Sequence, residues 1–264
     1  MDYHPWKNRK RDHIKIWGSC NGIILLTTFR AEYIYLWNPY TGECKKIRQV
    51  DKNSLPVTHN SMYSIGYNAI AADYQIIHIS TSDYSHAKVE VYSLKNPSWR
   101  RIQDIPYSIS STMEKFVNGA LHWLATRLQT RQIVIIAYVL ETEKFIEVPL
   151  PDSIDVNPVD LFVFENGTLD AYLCTIIHYK NAAKQQQTKV WIMKDGVTES
   201  WMELFHLDGN LLPICCIREG AEIVLHNYQQ YFIYDTNDKS LRGGKEISSH
   251  MKTTYIESIV TLPI

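Results

Sequence analysis

Short runs of alternating apolar and polar residues, each broken by a polar turn, recur five times along the chain. Such alternation is typical of half-buried β-strands, so each copy is predicted to be a strand, a turn and a second strand. The copies occupy residues 34–47, 89–102, 135–148, 190–204 and 232–247. They align on Trp37, Tyr92, Tyr138, Ile192 and Tyr234. These positions lie 42 to 55 residues apart, close to the period of roughly 40 to 50 residues shown by four-stranded propeller blades.

A further pair of short strands around a turn precedes each copy. These pairs occupy residues 18–27, 63–80, 115–125, 162–174 and 215–227. Three of their turns are Asn-Gly pairs, Asn21-Gly22, Asn118-Gly119 and Asn166-Gly167, which favour type I′ hairpins because both residues tolerate positive φ. Each unit is therefore predicted as four antiparallel strands, A to D. The predicted fold is an all-β, propeller-like ring of five such blades, with a strand at 255–261 as a partial sixth.

The strand order sorts the connections onto two faces of the ring. In an up-and-down blade the A–B and C–D turns share one face, here called the turn face, and these turns are short. The B–C loops and the D–A crossovers share the other, here called the loop face. The long connections fall on the loop face, at 81–87, 126–132, 178–188, 49–62, 103–114 and 149–160. Long loops on a rigid scaffold are where binding usually resides, so the loop face is the predicted recognition surface.

Candidate binding residues follow from this topology. Aromatic and cationic side chains are enriched at interface anchors, and three B–C loops each supply a pair of them. The predicted partner-binding residues are Tyr84, His86, Arg127, Arg131, Tyr179 and Lys184. The alternative is that they are ordinary exposed loop residues.

Composition narrows the choice of partners. The net charge of the 264-residue chain is −1, which offers no overall field for nucleic acid or an anionic membrane, so neither is expected as a partner. Five sparse cysteines argue against a secreted disulfide framework. The longest apolar stretch, Ile133 to Leu140, is far too short for a membrane helix. The expected localisation is cytoplasmic, with the nucleus as the alternative because the N-terminal residues are basic.

Motifs for catalysis or metal binding are missing from the sequence. The ten histidines show no metal-ligand spacing, and there is no nucleophile elbow or phosphate-binding glycine loop. Neither a metal nor a cofactor is expected, and the chain is predicted not to be an enzyme. The alternative is a sugar-binding or sugar-hydrolysing propeller that uses Asp152, Asp155 and Asp160. Trp99 and Trp201 are predicted to pack between blades, against the alternative of an exposed aromatic platform.

Eight segments of the chain form a characteristic set: GSCNGIILL, LWNPYTGECKKI, YSIGYNAIAADYQIIHI, VEVYSLKNPSWRRI, FVNGALHWLA, FIEVPLP, VWIMKDGVTESW and the closing YIESIVTL. Together they resemble the F-box-associated domain of plant F-box proteins. Their order and spacing match from Gly18 to Leu262, so residues 18–264 are assigned to this domain and residues 1–17 to a basic N-terminal tail. The pattern resembles both the F-box/kelch-type group and the S-locus F-box proteins.

The resemblance implies a substrate receptor of a Skp–cullin–F-box ubiquitin ligase that holds a target protein for ubiquitination. The residues before Gly18 lack the helical periodicity of an F-box, so a Skp-type adaptor and cullin are expected as partners only if an F-box is supplied elsewhere. Two alternatives follow: an F-box-less fragment or competitor that binds a target without ligase activity, and a remnant without any partner.

Overall fold

The computed structural model is an all-β propeller of five four-stranded antiparallel blades. It describes residues 14–28, 33–47, 61–81, 86–109, 114–151, 160–165, 171–193, 201–246, 258–259 and 262. These residues contain strands and turns, and no helix among them has the length and apolar character needed to cross a membrane. The predicted fold class is therefore confirmed for the five blades.

Each blade is a meander in which consecutive strands are hydrogen-bonded neighbours. Blade 1 contains β1 (Ile14–Cys20), β2 (Ile23–Thr28), β3 (Ile34–Trp37) and β4 (Cys44–Ile47). Blade 2 contains β5 (Ser61–Asn68), β6 (Asp73–Ser80), β7 (Ala87–Ser93) and β8 (Ser98–Ile105). Blade 3 contains β10 (Lys115–Val117), β11 (Ala120–Arg127), β12 (Ile133–Val139) and β13 (Lys144–Val148), with β9 (Tyr107–Ile109) also paired to β11. Blade 4 contains β14 (Asp160–Glu165), β15 (Ala171–Lys180), β16 (Gln186–Met193) and β17 (Trp201–Asp208). Blade 5 contains β18 (Leu212–Ile217), β19 (Glu222–His226), β20 (Gln230–Asp235) and β21 (Leu241–Glu246).

Two of the predicted Asn-Gly turns have the conformation that a type I′ hairpin requires. In blade 1, φ is 48° at Asn21 and 81° at Gly22. In blade 3, φ is 51° at Asn118 and 73° at Gly119. Positive φ at both central residues matches the twist of the flanking strands, so both predicted hairpin turns are confirmed. The third pair, in blade 4, lies outside the described residues.

The hydrophobic core consists of layers between neighbouring blades. Residues of β2, β3, β5 and β6 form the layer between blades 1 and 2, and similar layers follow between blades 2 and 3, 3 and 4, and 4 and 5. Fully buried members include Leu25, Ile76, Trp123 and Tyr138. Alternating strand residues thus bury on both faces of a blade, and each such large apolar side chain contributes roughly 1.5 to 3 kcal/mol when fully buried.

Trp99 and Trp201 both lie in these layers, as predicted from their equivalent positions at the start of strand D. Trp99 packs against the core shared by blades 1 and 2, with its ring centroid 5.2 Å from that of Tyr92. Trp201 packs against the core shared by blades 3 and 4, and its indole N–H donates to the carbonyl oxygen of Pro149 at 2.8 Å. Packing, rather than an exposed platform, is confirmed for both.

A carboxylate joins three blades near the inner strands. Glu114, just before β10, lies so close to Gly18 of β1 that a Cβ at Gly18 would be 2.2 Å from Oε1 of Glu114. Burial raises the pKa of Glu114 to about 7, although its own backbone, the charge of Lys115 and the backbone of Ile65 favour the charged form. The end of the Glu114 side chain therefore occupies the space beside Gly18.

The C-terminal residues dock on blade 1. The side-chain amide of Asn38 donates to the carbonyl oxygen of Ser258 at 2.9 Å, and the backbone N–H of Leu262 donates to Oε2 of Glu43 at 2.8 Å. Leu262 is buried in the core between blades 1 and 2, whereas Ile259 is exposed. These contacts carry the chain from the last blade onto the first. Most of the predicted sixth position, 255–261, lies outside the described residues and stays a prediction.

The described part of the chain begins in blade 1 and contains all five cysteines. Strand β1 begins at Ile14, and residues 1–13 lie outside the described part of the chain. All five cysteines are free thiols. Cys216 packs against the core between blades 4 and 5, which fits a packing role for the adjacent pair Cys215 and Cys216.

Candidate protein-binding surface

The loop face is partly stiffened by strand pairing. The crossover from blade 2 to blade 3 contains β9, which pairs with the end of β11 through Tyr107 and Arg127. The backbone N–H of Leu128 donates to the carbonyl oxygen of Pro106 at 3.1 Å. A connection that the sequence predicts as a long loop over 103–114 is thus strand at its centre, and it fixes the adjoining B–C loop.

Arg127 is held in an ion-pair network at this end of blade 3. Its Nε donates to Oε1 of Glu147 at 2.9 Å, and a terminal nitrogen pairs with the other carboxylate oxygen. A second terminal nitrogen donates to the side-chain oxygen of Gln132 at 2.7 Å. The Tyr107 hydroxyl also donates to Glu147, at 2.6 Å. Such two-point pairing fixes the guanidinium, so Arg127 anchors its loop to strand D.

The pKa values of this network shift in the directions that the contacts dictate. Hydrogen bonds from Arg127 lower the pKa of Glu147 and outweigh partial burial. Burial, followed by the hydrogen bond to Glu147, raises the pKa of Tyr107 to about 12. Glu147 is therefore ionised and Tyr107 neutral at physiological pH. The carboxylate and guanidinium charges compensate each other within the blade.

The B–C loop of blade 4 is ordered by an asparagine. Oδ1 of Asn181 accepts the backbone N–H groups of Ala183 at 3.0 Å and Gln185 at 2.9 Å. The loop tip is Lys184, which is exposed and has a φ of 62°. The turn thus displays a lysine from a backbone that its own hydrogen bonds define.

The B–C loop of blade 5 has the same construction. Oδ1 of Asn227 accepts the backbone N–H groups of Gln229 at 3.1 Å and Gln230 at 2.9 Å. Its tip is Tyr228, with a φ of 71° and 69% of its surface exposed. Tyr228 is not among the binding residues predicted from sequence, because its B–C loop is short. The signal was an aromatic residue inside a polar turn, directly after Asn227.

The six predicted binding residues are distributed over three blades. His86 is exposed immediately before β7, while Tyr84 lies outside the described residues. Arg127 and Arg131 belong to one turn, in which the N–H of Arg131 donates to the carbonyl oxygen of Arg127 at 3.0 Å. Tyr179 is half-buried near the end of β15, with Nζ of Lys189 5.5 Å from its ring centroid. Arg131 and Lys184 are exposed loop tips. The binding role of all six stays a prediction.

The acids considered for sugar chemistry are only partly described. Asp152 and Asp155 lie outside the described residues, and Asp160 is the first residue of β14, where its backbone pairs with Ile176. Among the described residues, no group of three or more His, Cys, Asp or Glu side chains is arranged to hold a metal ion.

Five meander blades with one-sided loops define the chain as a five-bladed β-propeller. Its sequence matches the family model described as "F-box associated beta propeller domain" over residues 3–258, and the chain therefore belongs to that family. The resemblance deduced from the sequence motifs is confirmed.

Relatives from Arabidopsis thaliana support the same assignment. The chain is 23% identical to the F-box/kelch-repeat protein At3g23880, covering 92% of this chain and 69% of that protein. It is 22% identical to the F-box protein At3g07870, covering 92% of this chain and 68% of that protein. It is 26% identical to the F-box protein CPR1, covering 90% of this chain and 60% of that protein. The chain thus matches only part of the length of each relative.

Solved structures share the fold alone. TolB from Acinetobacter baumannii matches with a TM-score of 0.52 and 12% identity, over 89% of this chain and 56% of TolB. The propeller domain of the Trilobed protease from Pyrococcus furiosus matches with a TM-score of 0.51 and 10% identity, over 89% of this chain and 72% of that chain. At such low identity these likenesses extend to the propeller architecture and carry no function.

Proposed function

We propose that this propeller binds a target protein through its loop face, as the substrate-recognition part of a ubiquitin ligase. The observation that carries the proposal is the membership of the chain in the F-box associated propeller family, combined with stiffened loops on one face. In this role the domain is a binding module without catalytic activity. Transfer of ubiquitin belongs to a partner complex, reached through a Skp-type adaptor when an F-box is supplied.

The construction of the loops supports binding rather than mere connection. Ordered loops lose little conformational entropy when a partner docks, so more of the contact energy appears as affinity. The internal hydrogen bonds of Asn181 and Asn227 fix two loops, and the ion pair of Arg127 fixes a third. Arg131 and Tyr228 are of the residue types enriched at interface anchors, and Lys184 adds an exposed positive charge.

The test is affinity purification from plant extract with three versions of the chain. The loop-face variant replaces Tyr84, His86, Arg131 and Lys184 by alanine. The control variant replaces Tyr40, Ile70, Lys144 and Lys239 by alanine, which are exposed residues of the turn face. Proteins retained by the unchanged chain are identified and quantified by mass spectrometry, and the unfolding temperature of each version is recorded.

We expect specific proteins to be retained by the unchanged chain and the control variant, and lost by the loop-face variant at an unchanged unfolding temperature. Equal retention by all three versions contradicts binding through the loop face. Recovery of a Skp-type adaptor together with a retained target supports the ligase role. Retention of the target without an adaptor favours the alternative of a competitor that binds without directing ubiquitination.

A further inference from the structure

We propose that the B–C loops of blades 3, 4 and 5 recognise an acidic segment of the partner protein. The three loops, residues 128–132, 180–186 and 226–230, are together called the basic rim. This inference rests on the proposed function, because it specifies the chemistry of the target that the loop face binds.

The first observation is the charge of the three loops. The basic rim contains Arg131, Lys180 and Lys184 but no Asp or Glu. The described turns of the turn face carry both signs: the acids Glu43, Glu141, Glu143, Glu219 and Asp238, and the cations Lys95, Arg218 and Lys239. The rim is thus a local concentration of positive charge on a chain whose net charge is −1. The potential at the rim favours a negatively charged ligand.

The second observation concerns the partners of these charges. Among the described residues, the side chains of Arg131, Lys180 and Lys184 make no ion pair, and Arg131 and Lys184 are exposed loop tips. The neighbouring acid Glu147 is already paired with Arg127. Asp208 accepts the side-chain amide of Gln187 at 2.7 Å. The rim cations therefore lack a carboxylate within the described part of the chain.

The third observation concerns hydrogen-bond donors. The side-chain oxygen of Gln132 accepts from Arg127 at 2.7 Å, and that of Gln185 accepts from Asn181 at 3.1 Å. In each glutamine the acceptor atom is thus occupied, while the NH₂ group has no acceptor within the described residues. Carboxylate oxygens only accept hydrogen bonds. A carboxylate of a ligand therefore suits both these amide NH₂ donors and the unpaired cations beside them.

The fourth observation concerns the shape of the loop tips. Arg131, Lys184 and Tyr228 have φ values of 60°, 62° and 71°. Left-handed backbone is more costly for these side chains than for Gly or Asn. On the turn face, the left-handed Glu143 is tied down by Arg100 and Gln75. On the rim, the cations Arg131 and Lys184 occupy the tips of blades 3 and 4, and the aromatic Tyr228 occupies the tip of blade 5.

A protein segment fits these features better than nucleic acid does. Tight binding to a duplex usually involves several phosphate contacts, roughly six to ten in well-studied proteins. The rim offers three cations, and binding to single strands relies on stacking against several aromatic side chains. Tyr228 is the one exposed aromatic residue of these loops. A few carboxylates beside an apolar side chain match this set, so the ligand class is an acidic peptide segment.

Fluorescence anisotropy tests the inference with defined probes. The first probe is a labelled peptide of about twelve residues that is rich in Glu and contains Leu. The second has Gln in place of every Glu, and the third is a single-stranded DNA of about the same charge. Each is titrated with the unchanged chain, with the double variant Arg131→Glu/Lys184→Glu, and with the control Lys144→Glu/Lys239→Glu. Lys239 is a matched control because it is an exposed turn residue with a φ of 59°.

We expect the acidic peptide to bind the unchanged chain and the control, and to bind the rim variant about tenfold more weakly. Binding should also weaken by about tenfold when salt is raised from roughly 50 to 300 mM, because exposed charges are screened. Tyr228→Ala should weaken binding about threefold without changing the salt dependence. The Gln peptide should not bind measurably.

Three results overturn the inference: no binding of the acidic peptide, equal losses in the rim and control variants, or equally tight, rim-dependent binding of the DNA. The last result indicates a nucleic-acid site instead. The proposed function is judged separately, by target retention from extract. If the loop-face variant loses the target while the acidic peptide fails to bind, target recognition stands and the acidic class is wrong.

Discussion

The two faces of the propeller use polar side chains differently. On the turn face they join structural elements: Asn68 of blade 2 donates to the carbonyl oxygen of Leu140 in blade 3 at 2.8 Å, and Glu143 of blade 3 pairs with Arg100 of blade 2. Glu222 is buried beneath two arginines of its own blade. In the described loops of the loop face, such bonds remain mostly within one blade. The turn face therefore joins neighbouring blades, whereas the cationic tips Arg131 and Lys184 of the loop face are exposed.

This division has a physical reason. Short turns allow neighbouring blades to approach closely, so their polar groups are desolvated and must find partners across the interface. The loop-face turns at Asn181 and Asn227 satisfy their backbone through local hydrogen bonds and leave their tips in water. Substitutions at the inter-blade contacts of the turn face should thus change stability, and those at loop tips should change binding.

The largest expected effect concerns the acid that joins blades 1, 2 and 3 between the two faces. The pKa of Glu114 is about 7, above the ordinary 4.5, so its folded form retains a proton that the unfolded chain releases. The contribution of Glu114 to the free energy of unfolding is therefore fully present below pH 4.5 and is lost as pH rises through 7. Glu114→Gln removes this loss and should raise the free energy of unfolding above pH 7 by up to about 3 kcal/mol.

Urea unfolding of both chains between pH 4 and 8 measures this effect as a difference. Taking the difference is necessary because buried His122, whose pKa is lowered to about 4, changes stability with the opposite sign as the pH falls below 6.5. Its contribution cancels between the two chains. A constant difference across the pH range contradicts a titrating Glu114.

The next effect concerns the C-terminal contact with blade 1. Leu262 is buried in the core between blades 1 and 2, whereas 79% of the surface of Ile259 is exposed. Leu262→Ala should lower the free energy of unfolding by about 2 kcal/mol, the low end for a buried leucine. Ile259→Ala should change it by less than about 0.5 kcal/mol. Similar losses in urea unfolding for the two variants indicate that residues 258–262 do not dock in this way.

Two asparagines give a direct comparison of the faces. Asn68→Ala leaves the buried carbonyl of Leu140 and the N–H of Ala71 without their partner, which should cost about 1.5 kcal/mol. Asn181→Ala removes similar hydrogen bonds in water and should cost about 0.5 kcal/mol. The measurement is urea unfolding with an unchanged m-value. A reversed order contradicts the structural role assigned to the turn face.

Much of the fold could be predicted from sequence because it depends on local patterns. Alternation located the strands, and the Asn-Gly pairs located turns such as the one at Asn21 and Gly22, whose φ values are both positive. Periodicity also placed Trp99 and Trp201 in equivalent packing positions. These features depend on a few neighbouring residues, and the repetition of the blade confirms each of them several times.

The candidate site was less predictable because it depends on contacts distant in the chain. Arg127 and Arg131 share a loop and a charge, and no local pattern shows that Glu147, twenty residues away, pairs with Arg127 alone. Long loops are conspicuous in a sequence, whereas the short, hydrogen-bonded turn that displays Tyr228 at its tip is not. Similarly, only tertiary packing shows that the end of the Glu114 side chain lies against Gly18, 96 residues earlier in the chain.

The smallest expected effect separates these two arginines. Arg127→Ala removes a two-point pair with Glu147 at a partly exposed position, so the free energy of unfolding should fall by about 0.5 to 1 kcal/mol. Arg131→Ala removes an exposed loop tip and should leave stability unchanged within about 0.3 kcal/mol. Retention of a target protein should follow the opposite order, with Arg131 the more sensitive position.

Urea unfolding and quantitative retention of the same target from extract should be measured on both variants. Glu147→Gln is the matched control, because it weakens the pair of Arg127 while leaving both arginines in place. It should reproduce the stability loss of Arg127→Ala without changing retention. If Arg127→Ala abolishes retention while Glu147→Gln does not, then Arg127 contacts the target directly. In that case the binding residues of the loop face include the end of strand β11 as well as the loop tips.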